Sequence, residues 1–215
     1  MIKLVIFDMD GLMFDTERVN YRSFLEVTQE AGYQTTFEQY VKCLGCNARD
    51  VQDYYIEYFG DGIDAQKLYE TIGDRAKKII QEEGIPVKTG LLELLGQIRE
   101  KKIPMAVASG SDPEVIKENI ERAGIADNFD MLLSSKNVKR GKPYPDVFLE
   151  ISRHFQVQPE DTLVLEDSAN GVQAALAGNF TVVNVPDMVE IPEEQQEKCL
   201  AVVESLTDVI PYFSR

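Results

Sequence analysis

The chain is 215 residues long and carries 22 basic against 37 acidic side chains, a formal charge of −15, with one His, three Cys and no Trp. Such an acid excess opposes phosphate backbones and anionic lipid, so neither nucleic acid nor a membrane is an expected partner. Three cysteines cannot build a disulfide framework, the opening residues do not read as a signal segment, and no apolar run nears the ~20 residues of a bilayer span; a soluble monomer of a reducing cytoplasm is expected.

Leu4-Val5-Ile6-Phe7 is the first of several short apolar runs rich in branched residues, the pattern of a parallel strand covered on both faces. Residues 15–84 then hold helical patterns and no comparable run. Asn20, Phe24, Val27 and Ala31 share one helix face before Gly32, and Leu68, Ile72, Ala76, Ile79 and Ile80 share another before Gly84. The aromatic group Tyr54, Tyr55, Tyr58 and Phe59 reads as the core of this helical segment. Beyond Gly84-Ile85-Pro86 strands and helices alternate. Leu91, Leu94, Leu95 and Ile98 mark a helix, Met105 to Ala108 a strand, and Val115, Ile116 and Ile120 a helix closed by Arg122 and Gly124. Met131 to Leu133, Thr162 to Leu165 and Thr181 to Val185 complete the strands, and Glu190 to Glu197 reads as solvated surface. The fold class predicted is α/β: a doubly wound, mostly parallel sheet built from residues 1–14 and 85–215, with residues 15–84 inserted as an α-helical domain after the first strand.

Ligands of such sheets collect beyond the carboxyl ends of the strands. The residues found there are unusually polar: Asp8-Met9-Asp10-Gly11, Ser109-Gly110-Ser111 and Glu166-Asp167-Ser168, with Lys142 in the loop after the third run. Asp8, Asp10, Glu166 and Asp167 gathered together would repel unless positive charge is added, and an all-oxygen donor set selects a hard cation, of which Mg²⁺ is the abundant one. Asp8 and Asp10, at alternate positions leaving a strand, can point the same way yet serve differently, one as nucleophile and one as proton donor and acceptor. A carboxylate nucleophile beside Mg²⁺ is the aspartyl-phosphate route of phosphoryl transfer. Lys142 supplies a cation for the phosphoryl group, Ser109 a hydroxyl, and the helix starting at Asp112-Pro113 its free N–H groups.

Asp8-Met9-Asp10-Gly11, then Ser109, then Lys142-Pro143, then Glu166-Asp167-Ser168 with Gly171, resembles the four ordered motifs of the haloacid dehalogenase superfamily, over essentially the whole chain. The subgroup it most resembles is that of the β-phosphoglucomutases and related sugar-phosphate phosphatases. The resemblance implies a Rossmann-like catalytic core with a helical cap. It also implies Asp8 as nucleophile, Asp10 as general acid/base, Ser109 with Gly110 and Lys142 as phosphoryl-binding, and Mg²⁺ held by Asp8, Asp167 and the backbone carbonyl of Asp10, with Glu166 completing or orienting the metal shell.

The final acceptor is either water or a sugar hydroxyl. Arg49 stands where the mutases carry a cap Arg for a second phosphate. Asn20 stands in place of a cap His, Ile72 of a substrate-binding Lys, and Asp112-Pro113 of a Lys-Asn pair. Losing a Lys and gaining an Asp weakens a site for a second phosphate. The expected activity is therefore an Mg²⁺-dependent phosphatase of small phosphorylated metabolites, sugar phosphates foremost, with a hexose 1-/6-phosphate isomerase as the alternative. Cys43 and Cys46 form a C-x-x-C without a second ligand pair and without the strand-to-helix setting of a redox motif, so neither zinc nor redox chemistry is expected there.

Overall fold

A computed structural model describes residues 1–46 and 48–213. The chain runs β1 (Leu4–Phe7), α1 (Thr16–Glu30), α2 (Phe37–Val41), α3 (Ala48–Phe59), α4 (Ala65–Glu83), α5 (Leu91–Glu100), β2 (Met105–Ser109), α6 (Pro113–Arg122), β3 (Met131–Ser134), α7 (Asp146–Phe155), β4 (Thr162–Glu166), α8 (Ala169–Ala177), β5 (Thr181–Asn184), α9 (Glu193–Gln196) and β6 (Ala201–Val202), ending in a 3₁₀ helix over Leu206–Phe213. It divides into two compact units, Met1–Asp15 with Pro86–Arg215, and Thr16–Ile85.

In the first unit, six strands among the described residues form one parallel sheet in the order β3-β2-β1-β4-β5-β6. β1 is central because Leu4 to Phe7 is apolar at every position, and all four residues are buried. Alternation sends Leu4 and Ile6 to one face, where they join Val147, Phe148 and Ile151 of α7 and Val172, Ala174 and Ala175 of α8 in a common core. Phe7 meets the edge of Phe129, ring centroids 5.7 Å apart. Covering one strand of this kind contributes on the order of 2 kcal/mol for each large apolar side chain buried.

β3 departs from the fully covered strand predicted for Met131 to Leu133. It is a sheet edge, its pattern alternates, and Leu132 is exposed, because an outermost strand has a neighbour on one side only. The glutamate-rich stretch also differs: Glu193–Gln196 is a short helix, Ile191 before it is buried, and β6 follows as a further parallel strand.

In the second unit α1 and α3 pack on α4. Of the predicted apolar faces, Phe24 and Val27 on α1 and Leu68, Ile72, Ala76 and Ile79 on α4 are buried; Asn20 and Ile80 are half-buried at the margins, and Ala31 is exposed just past the end of α1. α2 and α3 were not resolved by the apolar pattern. α2 is set by a capping box, in which the Thr36 hydroxyl accepts from Gln39 N–H while the Gln39 side chain accepts from Thr36 N–H. Tyr55 is buried and stacks on Phe24, while Phe59 packs on Tyr33; of the aromatic group predicted as core, Tyr55 is the buried member and Tyr54, Tyr58 and Phe59 are half-buried around it.

Candidate active site

Parallel register brings the polar residues to one edge of the sheet. Phe7 pairs with Val107 and Leu165, so Asp8 leaves β1 beside Ala108 of β2 and Glu166 of β4; Ser109 stands opposite Ser134, and Glu166 opposite Asn184. Asp8, Glu166 and Asp167 each offer a buried carboxylate oxygen, and these oxygens lie within 4.8 Å of one another.

Lys142 reaches this trio from the loop before α7. Its Nζ donates to Asp8 Oδ1 at 2.5 Å, to Glu166 Oε1 at 2.6 Å and to the Ala108 carbonyl at 3.0 Å. An ammonium has three N–H donors and all three are matched. The same Nζ lies 5.1 Å from the centroid of the Phe148 ring. Burial opposes a charge on Lys142, but Asp8 and Glu166 outweigh it and hold the ammonium above the ordinary lysine range.

Glu166 is fully buried, and its second oxygen accepts from Ser168 N–H and from the Ser168 hydroxyl. Ser168 Oγ in turn accepts from Gly171 N–H, so this serine both caps α8 and fixes Glu166. Asn184 donates from Nδ2 to the carbonyls of Glu166 and Asp167, at 2.9 and 3.1 Å, which clamps the backbone carrying both carboxylates. A Cβ on Gly11 would fall 2.2 Å from Asp167 Oδ2, and φ there is +88°, so glycine is required both by conformation and by close approach.

Burial pushes the Asp8 carboxyl up, Lys142 pulls it down, and Glu166 and Asp10 push it up again; the net direction is well above the usual range. Asp167 is raised likewise, first by burial and then by Glu166 and Asp8, against the pull of Lys142. Three buried carboxylates facing one ammonium leave a local excess of negative charge in an all-oxygen setting, and this fits a hard divalent cation. The donor set contains no His or Cys.

The carboxylate of Asp10 lies outside that trio. Its Oδ2 accepts from Ser111 Oγ at 2.8 Å and from Ser109 Oγ at 3.3 Å. Ser109 is buried at the end of β2; Gly110 is exposed, and a Cβ on it would meet nothing within 4 Å. Arg49 belongs to the helical unit, exposed in the first turn of α3. The sequence reading placed Ser111 at this edge without giving it a role, and it missed Ser134, Asn184 and the Lys88–Asp187 pair, an ion pair at 2.6 Å in which the Asp187 side chain is almost fully buried; the Asp187 charge bears on Asp167. Asp187 follows a buried strand much as Asp167 does, and that position was the available signal for it; Asn184 lies inside the run read as a strand.

The model of the haloacid dehalogenase-like hydrolases matches residues 5–185. The phosphorylated carbohydrates phosphatase of Thermotoga maritima is 27% identical over 174 residues, 81% of this chain and 80% of that protein. Hexitol phosphatase B of Escherichia coli is 29% identical over 198 residues, 91% of this chain and 87% of that one. The β-phosphoglucomutase of Clostridium difficile superposes with a TM-score of 0.75 at 22% identity, covering 97% of this chain and 93% of that one, a likeness of fold.

Proposed function

The chain belongs to the haloacid dehalogenase-like hydrolases, and from that membership we propose that it is a phosphatase of small phosphorylated metabolites, sugar phosphates foremost, working through a phosphoryl group carried on Asp8. The observation that supports this most is the Lys142 ammonium fixed between Asp8 and Glu166. It is a buried cation beside a buried nucleophile, where the phosphoryl group and a carboxylate would otherwise repel.

In the first step a carboxylate oxygen of Asp8 attacks phosphorus, the ester P–O bond breaks, and the leaving oxygen takes a proton from Asp10. In the second, Asp10 takes a proton from water, the water oxygen attacks phosphorus, and the Asp8–phosphorus bond breaks to release inorganic phosphate. Lys142 holds phosphoryl oxygens in both. Ser109, whose 3.3 Å bond to Asp10 is long for a hydroxyl donor, turns readily toward a phosphoryl oxygen, beside the exposed backbone of Gly110. Asp8 and Asp167, with the backbone carbonyl of Asp10, are the groups to hold Mg²⁺, and Glu166 orients them. When bound, Mg²⁺ offsets the charge of these carboxylates and of the phosphoryl oxygens.

Residues 16–85 serve, in this reading, as the cap that selects the substrate. Relatives named as phosphatases of phosphorylated carbohydrates and hexitols favour that class. The competing reading, a hexose-phosphate isomerase, rests on Arg49 as a contact for a second phosphate. Phosphate release from a sugar-phosphate panel with Mg²⁺ tests the proposal: turnover abolished in Asp8→Asn is expected, and no turnover of any ester, or full activity in Asp8→Asn, overturns it. Formation of glucose 6-phosphate from β-glucose 1-phosphate with a bisphosphate primer decides for the isomerase.

A further inference from the structure

We propose that Ser111 is a positioning residue for Asp10, holding it in the geometry that delivers and recovers a proton. This rests on the general acid/base role given to Asp10 above. Of the two hydroxyls on Asp10 Oδ2, that of Ser111 is the close one, 2.8 Å against 3.3 Å for Ser109. When Ser109 turns to a phosphoryl oxygen, Ser111 keeps its bond. The bond that remains fixes the orientation of the Asp10 carboxyl.

Ser111 is itself fixed at three atoms. Its N–H donates to Ser109 Oγ at 3.0 Å, its carbonyl accepts from Ser134 Oγ at 2.6 Å, and its own hydroxyl donates to Asp10. Ser134 is 2% exposed at the end of β3, paired in register with Ser109, and accepts from Lys136 N–H at 3.1 Å. A hydrogen-bonded path therefore runs from the Ser134 hydroxyl on the edge strand β3, through the backbone carbonyl and then the hydroxyl of Ser111 beyond the end of β2, to the carboxylate that follows β1. It spans two strand spacings and lies wholly within the first unit.

The proton from Asp10 matters in proportion to the basicity of the leaving oxygen. An alkoxide needs it, and p-nitrophenolate, a good leaving group, scarcely does. Loss of Asp10 positioning therefore leaves a signature that general loosening of the site does not. kcat/KM is measured for p-nitrophenyl phosphate and for the fastest alkyl ester among glucose 6-, fructose 1- and glycerol 1-phosphate. In Ser111→Ala it falls by about 30-fold for the alkyl ester, within the range of acid–base contributions, and by about 3-fold or less for the aryl ester. Ser111→Thr, which keeps the hydroxyl, restores most of the loss. Ser134→Ala, which loosens Ser111 without removing its hydroxyl, gives a smaller loss with the same preference and serves if Ser111→Ala does not fold, as read by thermal unfolding. An equal loss on both esters, or no rescue by Thr in a folded variant, overturns the proposal while leaving the phosphatase reading intact. A wild-type protein that hydrolyses none of these esters removes both.

Discussion

A Cβ added to Gly171 would lie 1.7 Å from Oε1 of Glu166, the same oxygen that accepts from Lys142. Gly171 sits in the first turn of α8 and its N–H is bound to the capping Ser168. The glycine is there for space, since the fully buried Glu166 fills the volume that any side chain would need. Gly171→Ala must push Glu166 aside, and with it the Lys142 ammonium that faces Asp8. We expect a stability loss of about 2–3 kcal/mol from overpacking and a fall in kcat of at least about 10²-fold. Gly96→Ala in α5, where a Cβ also has open space, serves as the comparison for added bulk alone. Denaturant unfolding and phosphate release check both quantities. A fully active Gly171→Ala variant would show that Glu166 does not hold Lys142 in place.

The acidic trio sets the sign of the pH dependence. Burial, with Glu166 and the trio's own charges, raises the Asp8 and Asp167 carboxyls well above their ordinary range. The folded state free of cation then keeps protons that the unfolded chain has released. The stability this contributes is fully present below the unfolded values, about 4, and is lost as pH rises through the folded values. In chelator, the melting temperature should therefore fall between pH 5.5 and pH 8. Mg²⁺ binds the ionised trio, so at about a hundred times its Kd it should raise the melting temperature by roughly 5 °C or more at pH 8, and by less at pH 5.5. Asp167→Asn removes one buried charge. It should melt higher than wild type in chelator at pH 8 and no longer respond to Mg²⁺. A chelator melting temperature that climbs with pH over this interval contradicts the charge assignment.

The sheet and the core of its edge site were legible because burial on both faces leaves an unbroken apolar run. Leu4 to Phe7 and Thr162 to Leu165 announce themselves, and Asp8, Glu166 and Asp167 follow directly along the chain. What stayed hidden depends on pairing between distant segments. Ser134 reaches Ser111 only because β3 lies in register on β2, and Asn184 reaches the carbonyls of Glu166 and Asp167 only because β5 lies on β4. Neither residue type is unusual at the end of a strand, so nothing local marks it. Helix α2 was missed for another reason. Over Phe37–Val41 it is too short for a 3.6-residue period to show, and its signal is the Thr36–Gln39 cap.

Lys142 makes a test that separates charge pairing from catalysis. Its three donors meet three acceptors, on Asp8 just past β1, on Ala108 of β2 and on Glu166 of β4, and Glu166 is fully buried. Lys142→Met leaves that carboxylate with no cation, a change that costs about 3–5 kcal/mol where one partner of a buried pair is removed. Combining it with Glu166→Gln should return much of the stability and none of the activity, because the phosphoryl-binding cation is still missing. Lys142→Arg keeps the charge, but a planar guanidinium cannot spread three donors over acceptors arranged around one nitrogen, so activity should stay below about 1% of wild type. Unfolding free energies and kcat for the three variants check this. Activity restored in the double variant would remove Lys142 from the phosphoryl site.

The C-x-x-C of Cys43 and Cys46 offers a last, independent test, of whether the pair is reactive. Both thiols are free; Cys43 Sγ donates to the Gln39 carbonyl at 3.6 Å and Cys46 Sγ to the Lys42 carbonyl at 3.2 Å. Burial, with a smaller contribution from Cys46, pushes the Cys43 thiol up to about 11. A raised thiol pKa means less thiolate at a given pH. At pH 7.5 roughly one Cys43 in three thousand is ionised, against about one in ten for an ordinary thiol, and the thiolate is the reacting form. Cys46 is raised too, by burial and by Asp50. Iodoacetamide should therefore label Cys43 about 100-fold more slowly in the folded protein than in urea, with a rate that climbs roughly tenfold per pH unit between pH 7.5 and 10. Mass spectrometry of timed digests reads this directly. Labelling as fast as a free cysteine, or a disulfide formed in mild oxidant, would instead mark the pair as redox-active.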